Sequence, residues 1–257
     1  MGNFNIKQIL FFPVRESESR KNFLIGTLVY FAGFIIPILP MILVMGYIAR
    51  IMRQVINGEE PHMPAWDDWG KLAMDGLRLF GVNLIYMLSS QIVMFGGMSA
   101  YFVGFFLLIP VMEAAERTPE VAAAVPAIMF ALMGVMFLAM FLGYLLMFLG
   151  AVPLPVALAR VVELEKFSAA FKLGEISKLV WRNKAGYFMA WVILAGLFAI
   201  FYFFGMMFYM TLILMWVFFI LAIPFGFYLM VISAALFGQA YRESLTMDAK
   251  DKEPLDG

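Results

Sequence analysis

The sequence predicts an all-α protein, a polytopic transmembrane helical bundle with about six membrane-embedded segments and two interfacial amphipathic helices. Two observations carry this. Of 257 residues, 64% are hydrophobic and only 14% charged, against roughly 25% charged in an ordinary soluble domain. The charges are also segregated: none falls in 23–49, 79–112, 121–159 or 185–241. A soluble fold of this size has to cover its core with polar surface, and there is too little here. These runs do not alternate polar and apolar residues as barrel strands would, so they read as helices.

The first 22 residues read as an N-terminal interfacial segment, because Ile9-Leu10-Phe11-Phe12 is too short an apolar run for a secretory signal. Residues 23–242 are expected to form a single membrane-embedded domain, followed by a disordered polar tail over 243–257. Pro37-Ile38-Leu39-Pro40 lies midway along the first uncharged run. Each proline removes a helical donor there, so the chain is expected to enter and return between Phe23 and Arg50 as a hairpin. That choice places every Lys and Arg except Arg117 on one side, which the positive-inside rule makes cytoplasmic. Both termini are then cytoplasmic. A single crossing would divide the basic residues between the two sides. The last run is long enough for two crossings, with its turn expected in Gly205–Thr211.

Two charged segments resemble surface helices. Ala65–Arg78 follows a proline-interrupted loop, with Asp67 and Asp68 in its expected first turn. Trp66 and Trp69 are residues suited to the headgroup zone. Ser168–Lys184 carries Phe171, Gly174 and Trp181 apart from Lys172, Glu175, Lys178 and Arg182, an amphipathic pattern. A faint internal similarity links the two: Pro40…Ala49-Arg50 precedes the first segment and Pro155…Ala159-Arg160 the second.

The uncharged runs bear on function. An ionisable residue at membrane depth is a functional signal, and no position here has to lie deep. The chain has no cysteine and one histidine, His62, which cannot build a conventional zinc site alone. No cofactor is expected. Nor does any basic excess point to nucleic acid, since 18 Lys+Arg balance 18 Asp+Glu. Asn83, Ser90 and Gln91 read as packing hydrogen bonds, or as the lining of a narrow polar path. Small residues at four-residue spacing, such as Gly96, Ala100 and Gly104, or Ala234 and Gly238, would let helices approach closely or the chain self-associate. Gly96-Gly97 is also a candidate kink.

The most distinctive segment is Gly46-Tyr47-Ile48-Ala49-Arg50 through Gly58-Glu59-Glu60, then Pro64-Ala65-Trp66-Asp67-Asp68-Trp69-Gly70-Lys71-Leu72, and Asp75-Gly76-Leu77. Here the chain resembles a family of uncharacterised archaeal and bacterial polytopic membrane proteins, classed as a domain of unknown function. The resemblance implies a prokaryotic membrane location and supplies no reaction or substrate. The candidate lock or interaction site comprises Arg50, Arg53, Glu59, Trp66, Asp67, Asp68 and Trp69, the arginines emerging from the membrane just ahead of the acids. Adjacent Asp67 and Asp68 would point about 100° apart on a helix and make no ready acid–base pair. The expected role is a non-enzymatic accessory or scaffold protein of the prokaryotic cytoplasmic membrane. It would present the Trp-Asp-Asp-Trp segment to a protein partner or to membrane lipids. The alternative is a transporter, flippase or channel for an apolar or lipid-like substrate.

Overall fold

The computed structural model describes residues 6–252, and every regular element among them is helical. In chain order these are α1 (Ile6–Arg15), α2 (Ser17–Ala32), α3 (Leu39–Asn57), α4 (Trp69–Ala115), α5 (Pro119–Ala151), α6 (Leu154–Leu164), a 3-10 turn (Phe167–Phe171), α7 (Leu173–Arg182), α8 (Lys184–Tyr209) and α9 (Leu212–Lys252). Among the described residues, five stretches are long and apolar enough to cross a membrane: Leu39–Asn57, Trp69–Ala115, Pro119–Leu164, Lys184–Tyr209 and Leu214–Met247. The chain is an all-α polytopic membrane protein.

The expected break between the first two segments is present. α2 ends at Ala32 and α3 begins at Leu39, with Pro40 at its start, where a missing N–H costs nothing. Between them the Leu39 amide donates to the Pro37 carbonyl across Ile38, whose φ is +78°. That is a three-residue γ-turn with its centre in the left-handed region, a strained conformation for a β-branched residue. α2 is a 16-residue helix with charges in its first turn, so only part of it is apolar enough for lipid.

The chain divides into two compact units where the sequence reading expects one domain. One holds the described residues up to Val82 and from Pro155 onward; the other is Asn83–Leu154. The first has the better-formed core. Val44, Tyr47, Ile48, Ile51 and Val55 of α3 are buried, as are Phe227, Val231, Ile232, Ala235 and Leu236 of α9. Val156, Ala159 and Val162 of α6 and Leu72 and Leu79 of α4 complete it. α3 and the first turns of α4 meet almost backbone to backbone. A Cβ at Gly46 would lie 1.9 Å from the Leu72 carbonyl oxygen, and one at Gly76 would lie 1.8 Å from that of Ile42. Two glycines from different helices therefore set this crossing. α8 and α9 form a hairpin joined at Met210-Thr211, inside the expected turn, and Phe201 stacks on Phe225 with ring centroids 4.0 Å apart.

The second unit consists of the distal part of α4 and the whole of α5. Most of its large apolar side chains are exposed, among them Phe95, Phe106, Phe130, Phe141 and Phe148. Lipid is the solvent such a surface requires. The expected kink at Gly96-Gly97 is not a break: α4 is helical throughout its 47 residues. Gly97 instead brings α5 close, since a Cβ there would lie 2.1 Å from that of Ala139. The contacting ridge is Gly97 and Gly104 on α4 with Ala139 and Gly143 on α5, while Gly96 faces open space.

Three boundaries differ from the sequence reading. The first surface helix, expected over 65–78, begins at Trp69 and continues as α4, because nothing breaks a helix between Gly70 and Pro110. The second, expected over 168–184, resolves into the 3-10 turn and α7, which buries Ile176 and Leu179 and exposes its charges. α9 runs on to Lys252, into the segment read as a polar tail. Residues 1–5 of the expected N-terminal segment and 253–257 of the tail lie outside the described residues.

The glycine crossing gives a direct test. Gly46→Leu or Gly76→Ala should lower the melting temperature of the detergent-solubilised protein, at a cost of roughly 1–3 kcal/mol from overpacking. Gly134→Ala on α5, where nothing lies within 4 Å of the new methyl, should leave melting unchanged or raise it slightly.

Candidate functional site

α3 ends at Gly58, which takes the left-handed conformation (φ +91°) that closes a helix. The following loop returns along the helix it has just left. Gln54 holds it at His62, accepting from the His62 amide at 3.3 Å while its amide nitrogen sits 3.2 Å from the His62 ring. Asn22 of α2 donates to the Met63 carbonyl at 3.1 Å, and the Tyr47 hydroxyl donates to that of Pro64 at 2.8 Å. Three side chains from two helices, α2 and α3, thus fix the course of the loop before it reaches the tryptophans.

Arg50 then grips the turn itself. Its guanidinium donates to the carbonyls of Ala65 (3.0 Å) and Asp67 (2.8 Å) and to the Asp67 carboxylate (2.6 Å), with a longer contact to the Asp68 carbonyl (3.4 Å). The planar fork of arginine suits such multiple acceptance, and a lysine could not reproduce it. Asp67 and Asp68 precede α4 instead of occupying its first turn. Asp68 caps the helix, its carboxylate accepting from the Lys71 amide at 3.2 Å. Its own φ of +47° is one that Asp tolerates better than most residues.

The two tryptophans have opposite roles. Trp66 turns inward and stacks on Tyr47, with centroids 4.1 Å apart and planes 4° from parallel, and its indole N–H donates to the Asn22 carbonyl at 2.9 Å. Gly26 of α2 leaves room for that ring and for Phe227 of α9. Trp69 lies beside Trp66 but remains 49% exposed.

One turn beyond Arg50, Arg53 makes a second junction. Both its terminal nitrogens lie 3.0 Å from one oxygen of Asp75 on α4, and one is 3.3 Å from Glu165 in the loop after α6. Arg78 pairs with the other Asp75 oxygen at 3.2 Å. The Asp75 side chain is only 6% exposed, so this is the buried centre of the network. Glu59 borders a polar cleft with Arg50, Arg53, Gln54, Asn57 and Lys71. Its carboxylate has no ion pair among the described residues.

A further network at α6–α9 lay outside the sequence reading. Arg160 and Lys172 both pair with Glu175 at the start of α7. Partial desolvation alone would raise the Glu175 carboxyl, but the two cations hold it below the usual glutamate range. The Tyr241 hydroxyl donates to Glu163 at 2.5 Å. Asn183 caps α8 by accepting from the Gly186 amide (3.1 Å) and ties it to α9 by donating to the Ala240 carbonyl (2.9 Å).

The structure therefore joins Arg50 directly to Asp67 and to the carbonyls on either side of Trp66, sets Asp68 and Trp69 alongside, and places Arg53 and Glu59 around the neighbouring cleft. Sequence reasoning missed Tyr47, Asn22, Asp75, Arg78 and Glu165 as members. For Asp75 a signal existed: Leu72, Asp75, Leu79 and Val82 share one buried helical face, and an acid on an apolar stripe needs partners. No such signal marked Asn22, which acts partly through its backbone. Among the described residues no three His, Asp or Glu side chains cluster as a metal ion would require. Asp67, Asp68 and His62 each have different partners, and none of them lines the polar cleft.

A family model described as "Protein of unknown function (DUF4013)" matches residues 29–209, well over half of the chain. The chain belongs to the DUF4013 family. The match takes in the whole Arg50 and Arg53 network except Asn22, and it ends with α8, short of the helix that supplies Phe227. Neither the curated proteins nor the solved structures include a match.

Burial ranks the acids for mutagenesis. Asp75→Asn should cost about 3 kcal/mol, as expected when one partner of a buried ion network is removed. Asp67→Asn should cost no more than about 1 kcal/mol, since that side chain is 71% exposed. Arg50→Ala should fall between them at about 2 kcal/mol, because it also strips donors from backbone carbonyls. Thermal melting in one detergent checks the order, and an Asp67→Asn loss equal to that of Asp75→Asn contradicts it.

Proposed function

We propose that this membrane protein is a non-enzymatic scaffold or accessory subunit of the prokaryotic cytoplasmic membrane. It presents the Asp67–Trp69 edge to a protein partner at the cytoplasmic surface. The supporting observation is the division of labour within the Trp-Asp-Asp-Trp segment. Trp66 and Arg50 are committed to holding the backbone, whereas the Trp69 ring is half exposed and the Asp67 carboxylate, although paired with Arg50, is 71% exposed. An aromatic and a charge held on a fixed turn lose little conformational freedom on binding, which favours recognition. Trp66 belongs to the support and not to the presented edge.

One observation favours the second reading, a carrier of apolar or lipid-like molecules. An apolar cleft of about 180 Å³ opens at the α8–α9 turn, lined by Tyr202, Gly205, Met206, Tyr209, Met215 and Phe218. The polar residues that could have formed a path support it less. Ser90 is buried and donates to the Met87 carbonyl at 2.7 Å, whereas Gln91 is exposed, so the two do not share a face.

Purification from native membranes in mild detergent, with mass spectrometry of co-purifying proteins and lipids, separates the two. Trp69→Ala with Asp67→Asn should lose a protein partner retained by the wild type while melting within about 1 kcal/mol of it. A retained lipid with no protein partner, together with flux in reconstituted vesicles, would overturn the scaffold reading. Orientation has its own test, made simple by the lack of native cysteines. Single cysteines at His62 and Thr118 should label with an impermeant thiol reagent only at Thr118 in intact cells. Labelling at His62 would reverse the sidedness.

A further inference from the structure

α1 is amphipathic in an unusual sense, because it carries apolar residues on both its protein side and its outer side. Ile9, Phe12 and Pro13 are buried, and the Tyr228 hydroxyl of α9 donates to the Leu10 carbonyl at 3.0 Å, so the helix is firmly docked. Its outer side exposes Phe11 and Val14 together with Lys7 and Arg15. Lys7, Phe11 and Arg15 stand at i, i+4 and i+8 and share one face. An apolar ring between two cations is the composition of a helix lying at a membrane interface. Directly downstream, α2 exposes Leu24, Leu28 and Phe31, again at helical spacing.

This face of α1 forms one wall of a cleft of about 470 Å³ lined by Lys7, Gln8, Phe11, Arg15 and Glu60. Glu60 of the loop after α3 also lines it, two residues before the point where Gln54 holds that loop at His62. The side-chain charges of Lys7, Arg15 and Glu60 have no ion-pair partner among the described residues, unlike those of Arg50, Arg53, Asp75 and Arg160. Among the described lining residues, two cations and one carboxylate leave a surplus of one positive charge facing the cleft.

We propose that this cleft binds the headgroup of an anionic phospholipid whose head also donates hydrogen bonds, as a phosphoglycerol does. The phosphodiester carries the single negative charge that the surplus matches, and Lys7 and Arg15 flank it with charge-assisted hydrogen bonds. Glu60 accepts from the glycerol hydroxyls, and Phe11 lies against the start of the acyl chains. The carboxylate is what distinguishes this site from a patch of basic charge, because it disfavours a head that brings a second negative charge and no donor. The inference stands independently of the scaffold reading, since it concerns a different surface.

The test titrates the full-length protein in a neutral detergent with phosphatidylglycerol, following bound lipid by native mass spectrometry and stability by melting. Wild type should take up one phosphatidylglycerol saturably, and Lys7→Gln with Arg15→Gln should weaken that uptake roughly 30-fold. Lys178→Gln with Lys184→Gln, which removes two exposed cations elsewhere, should leave it unchanged. Phosphatidylcholine should bind at least about tenfold more weakly, and inorganic phosphate should not displace the lipid. Glu60→Gln should narrow the preference for phosphatidylglycerol over phosphatidic acid. Equal uptake by the wild type and the Lys7/Arg15 double variant would overturn the proposal, as would an equal loss in the Lys178/Lys184 variant. Displacement by inorganic phosphate would mark a free-anion site and overturn the lipid assignment, and an unchanged headgroup preference in Glu60→Gln would overturn the role of the carboxylate.

Discussion

Arg50 and Arg53 stand one turn apart on α3, and each holds a different stretch of chain. Arg50 grips the backbone of the turn that leads into α4, while Arg53 reaches the buried Asp75 a turn further into that helix and the loop beyond α6. Below them Gly46 and Gly76 let the two helix backbones touch. The entry of α4 is therefore fixed at three levels: at its preceding turn, at its second turn and at the crossing beneath. Loosening any level would free the first turns of α4 from α3. The cost of burying Asp75 is tolerable because two guanidinium groups share it, and those groups are available because α3 leaves the apolar region at this height.

This arrangement also explains why the charges are so economically placed. In a chain that is 64% hydrophobic, each guanidinium at the membrane boundary must find acceptors without drawing carboxylates into the apolar layer. Backbone carbonyls of an irregular loop are the obvious source, since no helix uses them. The loop of 59–68 gives up four such carbonyls, those of Met63, Pro64, Ala65 and Asp67, to side chains of α2 and α3, while that of Asp68 is shared with the Leu72 amide of α4. These contacts give the irregular segment partners outside itself, including the carbonyl of buried Met63.

Much of this was legible in the sequence, and what was not has a physical reason. Segregated charge marked the helices, and the Pro37–Pro40 pair marked the break between α2 and α3, because both signals are local. The start of α4 was misplaced by four residues because Asp67 and Asp68 look like first-turn carboxylates; only the tertiary grip of Arg50 keeps them out of the helix. Gly96 and Gly97 could not be ranked from sequence, as neighbouring helical positions differ by about 100° and the partner face decides which is used. Trp66 and Trp69 are indistinguishable by type and spacing. What separates them is Gly26, forty residues earlier, which leaves space for one ring and not the other.

The faint likeness between Pro40…Ala49-Arg50 and Pro155…Ala159-Arg160 gains a structural meaning at this point. Each proline sits at the start of a helix, α3 or α6, and each arginine closes on the segment that follows it. Arg50 takes the turn before α4, and Arg160 takes Glu175 in the first turn of α7. The devices differ in detail: one holds mainly carbonyls, the other a carboxylate whose pKa its cations lower. Both solve the same problem, which is to orient the chain as it passes from a buried helix to a surface segment and then into a long apolar helix. Packing alone cannot do this where one side is lipid, because an apolar helix gains little by choosing protein over lipid neighbours. A directional, charge-assisted contact at the boundary can, and the chain places one ahead of α4 and another ahead of α8.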